Sequence, residues 1–244
     1  MAAGNLTLPF PNGGLVDGEN VLLVVHDDTG HVQGEAAVEV RGLLEVRLLG
    51  GGDGDVGGFR EWRVAGTAGG KKGGMDGVRT RYNEGGLAAE RLGWHLPGFD
   101  DGEWEAGEGP GEGFEGAGVR FYRGKLPLDV PEGVDVSLAF RFTPAEENVE
   151  TETLAYRVLL FVNGWQYGRY YPSISPEHTF PVPAGVLDYN GENVVGLAVW
   201  ALQEEGARVD VDVMVRYVVG SSLDVKFDGS YLRLGWEPER LEYA

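Results

Sequence analysis

At 244 residues with 42% hydrophobic composition, the chain is long enough for one large or two small globular domains with a sizeable core. Its 39 acids against 20 bases leave a net charge of −19, which repels nucleic acid and anionic lipid head groups and argues against DNA, RNA or a membrane surface as partners. With no cysteine, the sequence excludes disulfide scaffolds, thiolate metal sites and cysteine nucleophiles, and no apolar run approaches the ~18 residues of a membrane span.

The first residues, MAAGNLTLPFPNGG, carry neither a basic nor an apolar leader segment, so no signal peptide is read on this chain. Asn5-Leu6-Thr7 is an Asn-x-Thr sequon, which places a glycan on Asn5 if the protein is secreted. Val21–Val25 is a continuous apolar run of the kind that forms a strand buried on both faces. Residues 50–77 are so rich in glycine that they read as a connector, interrupted by one possible strand at Phe59–Val64. The stretch GGLAAERLG (residues 85–93) suggests a turn or two of helix, and residues 100–118 read as a long acidic, Gly-rich surface loop.

From residue 119 onward, alternation dominates. VRFYRGKLPLDV (119–130), then Val134, Val136, Leu138, Phe140 and Phe142, and later Val209, Val211, Val213, Val215 and Tyr217 set apolar residues at a period of two, the pattern of half-buried strands. Val158–Val162 and Leu197–Leu202 are continuous apolar runs expected to be buried on both faces. Short strands with Gly, Pro and Asn turns between them indicate an all-β fold, a β-sandwich or jelly roll. Asn163-Gly164, between two apolar runs, is a strong hairpin signal because a tight two-residue turn needs positive φ at both positions. On the return strand the period of two predicts that Trp165, Tyr167, Arg169 and Tyr171 share one face. Exposed, that face would offer aromatic platforms to a pyranose, with Arg169 reaching its hydroxyls. Buried, it is sandwich core or a surface for a neighbouring domain.

An internal repeat organises the chain. Residues 8–25, LPFPNGGLVDGENVLLVV, and 180–199, FPVPAGVLDYNGENVVGLAV, each run Pro-x-Pro, a short loop, Gly-Glu-Asn and an apolar strand, with Leu15 matching Leu187 and Gly18-Glu19-Asn20 matching Gly191-Glu192-Asn193 after a one-residue offset. The prolines deny hydrogen bonds to a sheet edge, and Gly-Glu-Asn turns the chain into a central strand. Because the first copy lacks strands before it, residues 1–49 are expected to be the closing strands of an incomplete first jelly roll, 50–77 the connector, and 78–244 a complete second jelly roll.

Three blocks, LPFPNGGLVDGENVLLVVHDDTG, YNEGGLAAERLGWHLPGF and LFVNGWQYGRYYPSISPEHTFPVPAGVLDYNGENVVGLAVWAL, together with EWRVAGTAGG, resemble the C-terminal jelly-roll domains of the large fungal-type β-galactosidases of glycoside hydrolase family 35. The resemblance runs from about Leu6 to Tyr243. It implies a secreted, often glycosylated, multidomain enzyme that removes terminal β-galactosyl residues, with its catalytic barrel and glutamates N-terminal to everything in this chain. The chain would then be a non-catalytic region supporting that barrel, with no activity expected alone. Its partners would be the other domains of the enzyme and a β-galactoside or other glycan.

The side-chain chemistry agrees with a non-catalytic reading. Acids such as Asp210 and Asp212 fall on polar strand faces or in Gly-rich loops, whereas retaining hydrolysis needs a close carboxylate pair in a sugar-sized pocket. His26, His31, His95 and His178 lack metal spacing, and DGD (53–55) and HDDTG (26–30) lack the spaced acids of a dedicated calcium loop, so no metal or cofactor is expected. Two alternatives remain: a free-standing module for galactose-containing glycans, and a structural sandwich that recruits a partner through the unpaired strands of residues 1–50.

Overall fold

Alternation builds two antiparallel sheets. The computed structural model describes residues 7, 10, 14–24, 43–49, 59–63, 88–144, 154–173, 177–183, 185–222 and 234–242. The chain divides into two units, Met1–Arg63 and Val64–Ala244. In the second, α1 (Ala88–Leu92) is followed by β1 (Gly118–Pro127), β2 (Val134–Pro144), β3 (Tyr156–Val162), β4 (Trp165–Tyr170), β5 (Thr179–Pro181), β6 (Glu192–Ala201) and β7 (Val209–Gly220), with a 3-10 turn at Pro238–Glu242. One sheet has the order β1-β6-β3-β4 and the other β5-β2-β7, so among the described residues only the β3–β4 hairpin joins sequential strands within one sheet. Every other connection crosses between sheets, as in a sandwich.

The two sheets meet through a core of Leu138, Phe140 and Phe142 from β2, Val158, Leu160 and Val162 from β3, Leu197 and Val199 from β6, and Val209 from β7. Each such side chain, fully buried, contributes about 1.5–3 kcal/mol. β3 is buried along its whole length, as the continuous apolar run Val158–Val162 within it requires. β6 is likewise central, paired to β1 on one side and β3 on the other, although the buried run ends at Ala201 and Leu202 is exposed. The outer face of the four-stranded sheet is apolar too, with Leu159, Phe161 and Ala198 packed against Phe121. Pro181 lies in β5, at the edge of the three-stranded sheet, where its missing N–H costs no ladder bond.

In the first unit the expectation of a doubly buried strand at residues 21–25 is corrected: Val21 and Leu23 are 87% and 83% exposed, and residues 21–24 form no strand. An apolar run signals a demand for cover but cannot supply it. Residues 59–63 are not in a strand either, although the Phe59 and Trp62 rings meet at a tilt with centroids 4.7 Å apart. Most of the expected 50–77 connector, Asn5, His26, His31 and both candidate calcium segments lie outside the described residues.

The long loop before β1 is fastened by a bridge between Phe114 and Ala207. Gly206 takes φ +80° there, and a Cβ on it would lie 1.7 Å from the Phe114 carbonyl oxygen. Gly206→Ala is therefore expected to lower stability by about 3 kcal/mol or more, whereas Gly124→Ala, with open space around it, should stay within about 0.5 kcal/mol. Urea unfolding of both variants checks the contrast.

Candidate functional site

The hairpin between β3 and β4 was the sequence's strongest functional candidate. Asn163 (φ 47°) and Gly164 (φ 87°) make the expected positive-φ turn. A Cβ on Gly164 would come within 2.9 Å of Leu234 and Leu96, so the glycine also lets a neighbouring layer approach. The Asn163 side chain does more than tolerate the turn. Its amide nitrogen donates to the Val186 carbonyl (2.7 Å) and to Asn193 Oδ1 (2.8 Å), while its Oδ1 accepts from the Val194 N–H (2.8 Å).

Asn193, from the second Gly-Glu-Asn copy, is fully buried. It brackets Asp188, accepting from its N–H (2.7 Å) and donating to its carbonyl (2.8 Å), and also donates to the Leu126 carbonyl (3.2 Å). Two amides thereby join β1, β6, the hairpin and the corner before β6 in one satisfied polar network.

The return strand does not present one face. Phe161 pairs with Gln166 and Leu160 with Gly168, leaving Tyr167 as an extra residue in a bulge. Trp165, register partner of the core residue Val162, is half-buried, and Tyr167 packs against the inter-sheet core. Arg169, opposite Leu159, is exposed on the other side. Tyr171 follows Arg169 there, its hydroxyl 2.6 Å from Arg157 Nη1. The expectation that these four side chains share a face is therefore corrected: the bulge divides them two and two between the sheet's faces. Tyr170 turns inward and stacks on Phe142 at 5.1 Å.

The outer face of the four-stranded sheet is organised by two arginines that sequence reading passed over. Arg157 lies in the buried strand β3, its guanidinium 3.9 Å from the Trp200 ring centroid and 5.7 Å from that of Tyr171. Arg123 on β1 has a side chain only 4% exposed, in ion contact with Asp101. It donates to the carbonyls of Trp94 (3.2 Å), Leu96 (2.9 Å) and Phe99 (3.4 Å), stitching the loop after α1 onto the sheet. Burial pulls its pKa below the usual arginine range, opposed by Asp101 and then Glu192. Beneath that loop Trp94 and Trp104 meet edge-on at 5.1 Å, and both contact Phe121. Trp236 from the C-terminal segment donates to the Leu92 carbonyl (3.0 Å), and Arg240, fully buried, donates to that of Glu90 (3.0 Å). The available signal was a charged residue at an apolar-face position of an otherwise regular strand.

Chemically, this arrangement braces and covers; it presents aromatic side chains to one another more than to solvent. Among the described residues no group of three or more His, Asp or Glu is placed to hold a metal ion.

Residues 89–205 match a protein-family model described as the beta-galactosidase second all-beta domain. Those residues are similar to that family. Over 241 residues the chain is 49% identical to a probable beta-galactosidase B of Talaromyces marneffei, covering 98% of this chain and 23% of that protein. It is 51% identical over 249 residues to one of Penicillium rubens and 52% identical over 242 to one of Emericella nidulans, covering 24% of each. The chain thus spans about a quarter of the length of the curated relatives it matches, and its fold is that of an all-β domain of a β-galactosidase-like protein. Among the described residues no helix is long and apolar enough to cross a membrane.

Two outcomes follow from the geometry. Asn193→Ala leaves partners unsatisfied at a fully buried site and is expected to cost about 3 kcal/mol or more. A double-mutant cycle with Asn163→Ala, read by urea unfolding, should give a coupling of about 1–3 kcal/mol. Burial pushes the Tyr167, Tyr170 and Tyr189 phenols above the ordinary tyrosine value; a neighbouring Tyr189 adds to this for Tyr167, Asp135 and then Tyr217 for Tyr189, while a hydrogen bond with Tyr156 opposes it for Tyr170. Since the unfolded chain ionises these phenols at about pH 10, their contribution is intact below that pH and lost as pH rises through the higher folded values. Unfolding midpoints measured between about pH 9 and 11 should fall, with tyrosinate absorbance at 295 nm lagging behind that of the unfolded chain.

Proposed function

We propose that this chain is a non-catalytic supporting region of a secreted enzyme that hydrolyses terminal β-galactosides, with its catalytic barrel elsewhere in the polypeptide. The observation that carries the reading is that about 50% identity extends over nearly the whole chain yet covers only about a quarter of each relative. The secreted location and a glycan on Asn5 rest on the family resemblance and the sequon. The partners are the barrel and the other domains, with no cofactor.

Direct galactoside contact by Trp165, Tyr167, Arg169 and Tyr171 is the weaker reading, because the bulge divides them between two faces, Tyr167 packs on the core, and Tyr171 is engaged by Arg157. It predicts weak, millimolar binding, about −4 kcal/mol. On the favoured reading, calorimetric titration of the 244-residue chain with galactose or lactose gives no heat, and a chromogenic β-galactoside is not hydrolysed. Binding lost in a folded Trp165→Ala variant would restore the carbohydrate-binding module, and turnover by the chain alone would overturn the non-catalytic assignment. An antibody blot of the source's culture medium should show a band several times 26.3 kDa. A band near 26.3 kDa would make it a free-standing protein.

A further inference from the structure

The two Gly-Glu-Asn copies share an asparagine bracket but are covered differently. Asn20 brackets Val16, accepting from its N–H (2.9 Å) and donating to its carbonyl (2.8 Å), four residues apart. Asn193 brackets Asp188 in the same two-bond manner, five residues apart. With Leu15 matched to Leu187, Val16 is the counterpart of Asp188, so the one-residue offset in sequence is an insertion inside an otherwise identical corner. Gly18 is held at φ +115°, which favours glycine, and a Cβ on Gly191 would lie 2.5 Å from an Asp188 carboxylate oxygen.

After the corner the copies diverge: Glu192–Ala201 form β6, whereas residues 21–24 form no strand and are exposed. Val194 and Leu197 are 8% and 6% exposed, and their counterparts Val21 and Val24 are 87% and 43% exposed. Leu187 is 1% exposed and Leu15 is 53%. In the second copy the cover is the β3–β4 hairpin. The Asn163 N–H donates to the Val194 carbonyl (2.8 Å), the Asn163 side chain engages Asn193 Oδ1, the Val194 N–H and the Val186 carbonyl, and β3 pairs antiparallel with β6. The counterparts of those four acceptors and donors in the first copy are the Val21 carbonyl, Asn20 Oδ1, the Val21 N–H and the Gly14 carbonyl.

We propose that residues 14–24 are the corner of a second sandwich and that residues 21–24 dock a β-hairpin from the part of the same polypeptide outside these 244 residues, headed by an Asn-Gly turn that engages Asn20 and Val21. The proposal rests on the reading of the chain as part of a longer protein. The occupant is identified by chemistry: one asparagine at positive φ presents a donor and an acceptor together, and an apolar strand preceding it covers Val21, Leu22, Leu23 and Val24. The length of the relatives beyond this chain supplies the sequence from which it would come.

The test uses the full-length protein with a benzophenone amino acid at position 21, mapping the photo-crosslinked peptide by mass spectrometry. The expected product is a peptide from outside the 244 residues that contains Asn-Gly, and replacing that asparagine with alanine should reduce its yield at least five-fold. A Val21→Cys thiol should also react at least ten-fold more slowly in the full-length protein than in the 244-residue chain. A crosslink to a segment lacking Asn-Gly, to residues of this chain, or to a second copy overturns the proposal, as does equal thiol reactivity in the two contexts. A native polypeptide no longer than this chain would overturn the parent reading as well, whereas a long polypeptide crosslinking elsewhere would overturn only the hairpin.

Discussion

The hydrogen-bonded amide pair of half-buried Asn163 and fully buried Asn193 is the constraint on which the rest of the sandwich depends. A two-residue turn fixes how strands β3 and β4 meet, but not where that hairpin sits against the rest of the sheet. The Asn163 side chain supplies the second fact by bonding to both the main chain of β6 and the side chain of Asn193. Asn193 in turn holds the carbonyls of Leu126 and Asp188. A one-residue slip of β3 against β6 would break the bonds that Asn163 makes to Val194 and Asn193 together and leave Asn193 Oδ1 short of a donor in a fully buried place, which is a stronger penalty on misregister than any single apolar contact.

That register makes the second feature possible: a sheet buried on both faces. The inner face packs on β2 and β7, and the outer face is covered by the loop after α1 and the C-terminal segment. Covering an outer face with loops brings backbone carbonyls into a dry layer, where they require donors. Arg123 supplies several N–H groups at one point, and the Trp236 indole and Arg240 supply others. The arginines act here as multivalent donors more than as charges, which is why lysine would not substitute: it cannot present a planar fork to several carbonyls at once. The aromatic side chains held between loop and sheet follow from the same need, since Trp94, Trp104 and Phe121 fill the gap edge to face.

Sequence reading found what is local and missed what is long-range. The Asn-Gly turn, the alternating strands and the short helix were legible because each is set by neighbours in the chain. The bulge at Tyr167 was not, because period-two counting assumes an unbroken ladder, and a single inserted residue moves Arg169 and Tyr171 to the opposite face. Gly-Glu-Asn was recognised as a turn into a strand, but the bonds from Asn193 to Leu126 and Asn163 depend on partners tens of residues away. Arg157 was hidden for a related reason: in a strand of apolar residues its role exists only because Trp200 lies beside it on the neighbouring strand.

The two corners separate these levels within one molecule. Asn20 closes its two bonds to Val16 although the adjacent apolar residues are exposed, so the bracket forms from local sequence without a core to reward it. Burial of the following strand is a separate, long-range event that the same local sequence can precede but not enforce. Reuse of the corner in both copies is then understandable. In the second copy it ends a loop and launches β6, with a buried amide that still has bonding capacity for the β3–β4 hairpin. A domain assembled on such corners gains its specificity from the second asparagine, and the first serves as the socket.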